Sequence, residues 1–199
     1  LVPASTKGLS IGSPEKKMGC ELSPIASLFF DDAQVPASSL LGPVHEGFKV
    51  ALSGLAGGRV NIAACANGLS SAALDAAIKH INERKQFGKA LAEFQGLQFM
   101  VADMHMRLEA SRLLVEKAAV DLDAPAASPA TTRLSSSVAK CYATDAAMAI
   151  TTDAVQLLGG AGYIKEYMVE RYMREAKMLQ IVEGANQVQR MIIARELLG

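Results

Sequence analysis

The sequence has no tryptophan and few aromatic residues (5%), so a folded core must be built from aliphatic and small side chains. It has no apolar run long enough to cross a bilayer, and its start has none of the features of a signal peptide. We therefore predict no association with a membrane.

The chain also lacks an excess of either charge, with 20 Lys+Arg against 20 Asp+Glu. Nothing in this balance favours a nucleic-acid partner. Its three cysteines, Cys20, Cys65 and Cys141, are far apart and have no CxxC spacing. They are typical of reduced thiols in a cytosolic or matrix-like compartment, and we predict neither a disulfide framework nor a metal site.

Residues 1–43 have the composition of strands and turns. Residues 8–12 alternate in polarity, and residues 25–30 form a short apolar run, with Pro14, Pro36 and Gly42 as breaks. Two or three strands do not form a stable domain alone, so we expect the last strands of a β domain and a chain that is a piece of a longer protein.

Residues 44–199 have long apolar patterns at helical spacing. We predict helices over about 46–84, 94–122, 131–158 and 168–178, and a terminal helix that follows Asn186 as its N-cap. Long helices with short connections indicate an antiparallel helical bundle, so the predicted fold class is mainly α.

One loop of this bundle carries a candidate base. Glu183 lies in the segment QIVEGANQVQR (residues 180–190), between two predicted helices and beside apolar residues. Gly184 allows an unusual turn or a close approach of another group. A carboxylate in such a loop is either a base for carbon chemistry or a solvated residue next to a helix-ending glycine.

Four separated motifs resemble one enzyme family. They are residues 54–68 (GLAGGRVNIAACANG), 83–98 (ERKQFGKALAEFQGLQ), 152–163 (TDAVQLLGGAGY) and 166–189 (EYMVERYMREAKMLQIVEGANQVQ). In this order and spacing they are similar to the C-terminal half of the acyl-CoA dehydrogenases. The GGR-x-NIA pattern, with Ala56 where many relatives have aspartate, is similar to the isobutyryl-CoA dehydrogenases.

The resemblance implies a reaction. Glu183 would remove the α-proton of an acyl-CoA, and the β-hydrogen would leave as hydride to FAD, which gives a trans-2-enoyl-CoA. The Glu183 backbone N–H and a flavin hydroxyl would stabilise the enolate. In a known variation of the family, the base stands where this chain has Gly58, so glycine there favours Glu183.

The resemblance also assigns the remaining site residues. Substrate binding is expected from Ala56, Gly57, Gly58, Arg59 and Gly184. Cofactor binding is expected from Arg84, Phe87, Gln95, Gln156, Leu157, Leu158, Gly159, Gly160, Ala185, Asn186 and Gln187. From their residue types alone, Arg59 could be an exposed surface arginine, and Arg84–Gly88 and Gln156–Gly160 could be ordinary helix boundaries.

Several cofactor residues would reach the FAD of a neighbouring subunit, which implies a homodimer or homotetramer. An electron-transferring flavoprotein would be the electron acceptor, in the cytoplasm of a bacterium or the mitochondrial matrix of a eukaryote. The expected substrate is a short acyl-CoA, straight or branched. An acyl-CoA oxidase, a flavin monooxygenase and an inactive bundle that serves only in oligomerisation stay open as alternatives.

Overall fold

The computed structural model describes residues 1–199 and divides them into two compact units, Leu1–Leu55 and Ala56–Gly199. In the first unit, β1 (Leu9–Ile11) pairs antiparallel with β2 (Leu28–Phe30), and Leu9 lies opposite Phe30. All three residues of β2 are more than half exposed. A two-stranded ribbon therefore forms where the sequence predicts strands, but it buries little of its own apolar surface.

The helix predicted over 46–84 is two helices. A short α1 (Gly47–Ser53) ends at Gly54, and α2 (Leu55–Glu83) begins directly afterwards. The prediction of one continuous helix is wrong at this point because Gly54, which favours helix less than any other residue except proline, interrupts the apolar pattern. The last 28 residues of α2 open the second unit.

A small hairpin that the sequence did not reveal connects α2 to the next helix. Its strands are β3 (Lys85–Gln86) and β4 (Lys89–Ala90), which pair antiparallel. Phe87 and Gly88 at the tip both have positive φ, +54° and +83°, as a two-residue type I′ turn requires. Helix α3 (Gln95–Asp123) follows and agrees with its predicted range to within one residue.

The remaining helices follow their predicted order. Helix α4 (Pro129–Leu158) begins two residues before its predicted start, because the Ser128 hydroxyl caps it by accepting a hydrogen bond from the Thr131 backbone N–H at 3.1 Å. It ends at Gly159, and a 3-10 turn (Gly159–Tyr163) leads to α5 (Val169–Leu179). Helix α6 (Asn186–Leu198) completes the chain.

Two groups of buried residues fill opposite ends of the bundle. The hairpin-end core joins the C-terminal half of α2 to the start of α3 and the end of α4; it includes Leu74, Ile81, Met104, Leu108, Ile150 and Leu157. The loop-end core is rich in alanine; it includes Val60, Ala63, Ala118, Ala143, Ala176 and Leu179. This arrangement requires antiparallel helices and confirms the predicted fold class, a mainly α bundle. None of its helices combines the length and the apolar character that a bilayer span needs.

Candidate active site

The loop between α5 and α6 holds Glu183 in an unusual backbone conformation. Glu183 has φ +55° and Gly184 has φ +90°, both in the left-handed region. For a residue with a side chain this conformation costs about 1–2 kcal/mol. The turn is closed by the Asn186 N–H, which donates to the Gln180 carbonyl at 3.0 Å. A strained glutamate persists only where its surroundings hold it, which is common at functional sites.

The Glu183 carboxylate lies against Gly58 of α2. A Cβ atom at position 58 would lie 2.8 Å from the Glu183 Cδ and would overlap a carboxylate oxygen. Gly58 has ordinary helical φ, so this contact, and not its own backbone, requires a glycine. The fold thus brings the candidate base to a predicted substrate residue more than a hundred positions away in sequence.

Arg59 follows Gly58 and is buried, with 7% of its surface exposed. The alternative of an exposed surface arginine is therefore wrong. Burial lowers the pKa of Arg59, and the nearby charge of Glu183 partly opposes this change. The Arg59 Nε atom is buried and has no hydrogen-bond partner in the protein, so it has a free donor inside the site. A contact with CoA phosphates stays a prediction.

Two buried side chains that the sequence analysis did not identify hold the loop in place. The Lys140 Nζ of α4 donates to the Gly184 carbonyl at 3.0 Å. The Gln189 Nε2 of α6 donates to the carbonyls of Gly184 at 2.9 Å and of Glu183 at 3.1 Å. The Gly184 carbonyl is thus held from both sides, whereas the Glu183 carbonyl is held by Gln189 alone.

Asn186 is the first residue of α6 and not its N-cap, which corrects the prediction. Ala185 occupies the cap position, and it has no side chain that could accept a capping bond. The Asn186 side chain turns to α4 instead, where its Oδ1 accepts from the Lys140 Nζ at 2.8 Å and its Nδ2 donates to Asp145 at 2.7 Å. If Asn186 contacts a cofactor, it must therefore use its backbone.

Asp145 joins this network to the protein surface. It accepts hydrogen bonds from Gln180 and from Arg190, each at 2.6 Å. Burial raises the pKa of Asp145, but the hydrogen bonds from Arg190, Gln180 and Asn186 together outweigh it and leave that pKa below its ordinary value. The carboxylate is therefore a stable acceptor for the start of α6.

The sequence gives only a weak signal for Lys140, which is the only charged residue between Arg133 and Asp145. The structure shows that Ser136 and Thr144, four positions to either side on the same helix face, are both buried, and this burial places the lysine among buried neighbours. Gln189 gives a weaker signal, three positions after Asn186 on the inner face of α6.

The predicted cofactor residues near the hairpin are on the surface. Arg84 and Gln95 are exposed at the ends of α2 and α3, and Phe87 is 90% exposed at the hairpin tip. Gln156, Gly159 and Gly160 are exposed at the end of α4, whereas the side chains of Leu157 and Leu158 are buried in the hairpin-end core. Little of either leucine side chain is therefore accessible to a ligand.

One element of the site fits a phosphate group of a cofactor, namely the N-terminus of α6. The N–H groups of Gln187 and Val188 at the start of α6 have no acceptor in the protein, and such a helix end favours an anion.

Gly159 has the positive φ that ends a helix, and a Cβ at Gly162 would lie 2.9 Å from the Leu158 Cβ. Neither a positive φ nor a close contact requires glycine at position 160, and the space beside it is open.

The bundle therefore combines a strained loop carboxylate, glycines beside open space and a free helix N-terminus, three features that a ligand site can use. Residues 45–198 match the family described as "Acyl-CoA dehydrogenase, C-terminal domain". The chain therefore belongs to the acyl-CoA dehydrogenase family, as the motifs predicted, and FAD is the cofactor of its homologues and structural neighbours.

Three relatives of the chain are named for different acyl groups. The chain is 47% identical to a cyclohex-1-ene-1-carbonyl-CoA dehydrogenase of Syntrophus aciditrophicus and 43% identical to a mitochondrial isobutyryl-CoA dehydrogenase of Dictyostelium discoideum, with 100% and 99% of this chain aligned to 47% of each relative. The structure of butyryl-CoA dehydrogenase from Megasphaera elsdenii matches with a TM-score of 0.93 at 44% identity, over 100% of this chain and 51% of that one. The chain thus spans about half the length of these relatives.

Proposed function

We propose that the enzyme to which this chain belongs converts a short acyl-CoA, straight or branched, to the trans-2-enoyl-CoA, with Glu183 as the base. The observation that carries the proposal is the Glu183 carboxylate, held by a strained backbone against Gly58. A base must be positioned before the reaction, because misplacement by about 1 Å can cost about 10²-fold in rate.

The proposed reaction removes two hydrogens from the acyl chain. Glu183 takes the α-hydrogen as a proton and becomes a carboxylic acid, while the electrons of that bond form the new double bond. Bound FAD supplies the acceptor for the β-hydrogen, which leaves as hydride. The Glu183 backbone N–H has no acceptor in the protein and is free to bind the thioester oxygen, where negative charge develops.

The residues around Glu183 favour an acyl group with a methyl branch near the reacting carbons. A Cβ at Gly57 would meet only the Leu122 Cδ2, at 3.9 Å, so packing does not require glycine at that position. We infer that Gly57 and Gly58 leave room for the acyl chain and that Val182, a small residue where the family often has tyrosine, widens the site for a methyl branch. Two of the relatives are named for the four-carbon groups isobutyryl and butyryl, and the third for the cyclic cyclohexenecarbonyl group.

The cofactor residues support a site shared between subunits. From Gly58 to Glu83, α2 rises about 38 Å at about 1.5 Å per residue. One FAD that serves Glu183 would have to extend along most of α2 to reach Arg84 and the hairpin of the same chain, which favours a different FAD for these residues. We propose that Arg84, Phe87, Gln95 and residues 156–160 bind the FAD of a second copy, in a homodimer or homotetramer.

A substrate comparison with the FAD-loaded enzyme tests the function. Using a dye or an electron-transferring flavoprotein as acceptor, we expect isobutyryl-CoA or butyryl-CoA to have a higher kcat/KM than octanoyl-CoA, with a product two hydrogens lighter. The preference should be graded, because one methylene discriminates by only about 10–200-fold. A clear preference for octanoyl-CoA would exclude the short-chain assignment, and turnover that yields one H₂O₂ per product without an acceptor would indicate an oxidase.

A further inference from the structure

Lys140 is completely buried, and it is the largest of the fully buried side chains in the protein. It lies near the middle of α4, on a face of small residues that includes Ala139, Ala143 and Thr144. The long side chain extends from this face to the loop between α5 and α6, where its ammonium is hydrogen-bonded. A lysine so far from water is rare unless its ammonium is paired or hydrogen-bonded.

The Lys140 ammonium donates hydrogen bonds to two acceptors of the loop between α5 and α6. It donates to the Gly184 carbonyl at 3.0 Å and to the Asn186 Oδ1 at 2.8 Å. Gly184 directly follows the strained Glu183, and Asn186 is the first residue of α6. One side chain therefore ties both ends of the three-residue segment 184–186 to the middle of α4.

The charges around Lys140 connect it to the base. Burial lowers its pKa, whereas the charges of Asp145 and Glu183 raise it and that of Arg59 lowers it further. Arg59 on α2 likewise feels the charge of Glu183. The Glu183 carboxylate thus has two buried cations near it, Arg59 on α2 and Lys140 on α4. An apolar side chain of similar volume at position 140 would fill the same space but would supply neither the hydrogen bonds nor the charge.

We propose that Lys140 is a positioning residue for the dehydrogenation: it holds Glu183 in its left-handed conformation, so that the carboxylate stays against Gly58. This inference rests on the proposed role of Glu183. Lys140 reaches the base through Gly184 and Asn186 and does not itself touch the reacting atoms. Gln189, which donates to the same Gly184 carbonyl, supports the loop from the other side.

The test uses the FAD-loaded enzyme with Lys140→Met, which keeps the volume and removes the charge and the donors. We expect kcat to fall by about 10²-fold because the base is misplaced, with KM for the acyl-CoA and FAD content within about twofold of wild type. The isotope effect of α-deuterated substrate should rise, because proton removal becomes slower. Amide hydrogen exchange should become faster in residues 183–188 and stay unchanged in α2 and α3.

Lys79→Met is the matched control, since Lys79 is exposed on α2 and lies outside the site. It should leave kcat, the isotope effect and exchange in the loop unchanged. If Lys140→Met does not accumulate as a flavin-loaded protein, Gln189→Met serves as the second variant, with the same changes expected at about tenfold in kcat.

The outcomes separate the two proposals. If the wild-type enzyme dehydrogenates no acyl-CoA, the proposed function fails. If the wild type is active and the kcat per bound flavin and the loop exchange of the Lys140 or Gln189 variant equal those of wild type, the inference about Lys140 is wrong and the proposed function stands. A loss of activity that only parallels a loss of FAD would equally show that the role of Lys140 is structural.

Discussion

The two ends of the bundle differ in how far their functional candidate side chains are buried. At the loop end, Arg59, Lys140 and Gln189 are buried, and their polar atoms surround a glutamate with strained backbone. At the hairpin end, Arg84, Phe87 and Gln95 are exposed, and Phe87 at the hairpin tip also has positive φ, with an edge contact to Phe94. The loop that carries Glu183 is held by partners within one chain, whereas the hairpin end presents its side chains outward.

This difference explains what each end can do. Buried polar groups are expensive to desolvate, but they fix a catalytic group before the substrate arrives. Exposed side chains cost little and gain their partners only when a ligand or another subunit binds. We therefore expect changes at the loop end to alter the rate of the chemical step, and changes at the hairpin end to alter cofactor binding and assembly.

The largest effect should come from the base itself. Glu183→Gln keeps the size of the side chain but cannot accept a proton, so kcat should fall by about 10²–10⁴-fold. FAD content and far-ultraviolet circular dichroism should match wild type, because the side chain makes no hydrogen bond that holds the loop. Near-normal turnover in this variant would remove Glu183 from the role of base.

Gly58→Ala should have the next largest effect. The added methyl group would overlap the carboxylate of Glu183 and displace it, so we expect kcat to fall by about 10–10²-fold. The matched control is Gly68→Ala in the same helix, where a Cβ meets nothing within 4 Å. That control should raise the free energy of unfolding by about 0.5–1 kcal/mol and leave kcat unchanged. If the two variants have the same kcat, the absence of a side chain at position 58 is not needed to position Glu183.

Arg84→Ala tests the hairpin end. Loss of a hydrogen bond to a charged group typically costs about 1.5–3 kcal/mol, so the dissociation constant of FAD should rise by about tenfold or more. Helix content and the kcat per bound flavin should not change, and Lys85→Ala, at the neighbouring exposed position, is the control. A fully flavin-loaded monomer by light scattering would contradict a site shared between subunits.

The smallest effect concerns acid stability. The pKa of Asp145 is below its ordinary value in the folded protein, so its ionised form stabilises the fold above about pH 4, and this contribution is lost as the pH falls through the folded-state pKa. Asp145→Asn should thus have a lower Tm than wild type at pH 7, and the difference should shrink below about pH 4. The exposed Asp75→Asn on α2 is the control. A difference that grows in acid would contradict the assigned hydrogen bonds.

Much of the fold could be predicted from the sequence. The periodic helices from residue 94 onward lie within one or two residues of their predicted ranges, because long amphipathic patterns with proline and glycine at their ends leave few alternatives. The break at Gly54 and the hairpin at 85–90 were missed, because a single glycine or a four-residue ladder produces no periodic signal.

The candidate site was only partly predictable. Glu183, Gly58 and Arg59 were selected by motif, but their contact depends on the packing of α2 against the loop, which no local pattern encodes. Lys140 was missed because a lone lysine is ordinarily a surface residue. Asn186 was assigned as an N-cap on its residue type, whereas its side chain is held by Lys140 and Asp145 of α4.

The most direct test of the central claim is a crystal structure of the FAD-loaded enzyme with an acyl-CoA analogue that cannot be oxidised. Our account predicts that a carboxylate oxygen of Glu183 lies about 3–3.5 Å from the α-carbon, on the side of the acyl chain that faces Gly58, with the bonds from Lys140 and Gln189 to Gly184 intact. An α-carbon bound beside a different carboxylate, or a Glu183 side chain turned away from Gly58, would contradict it.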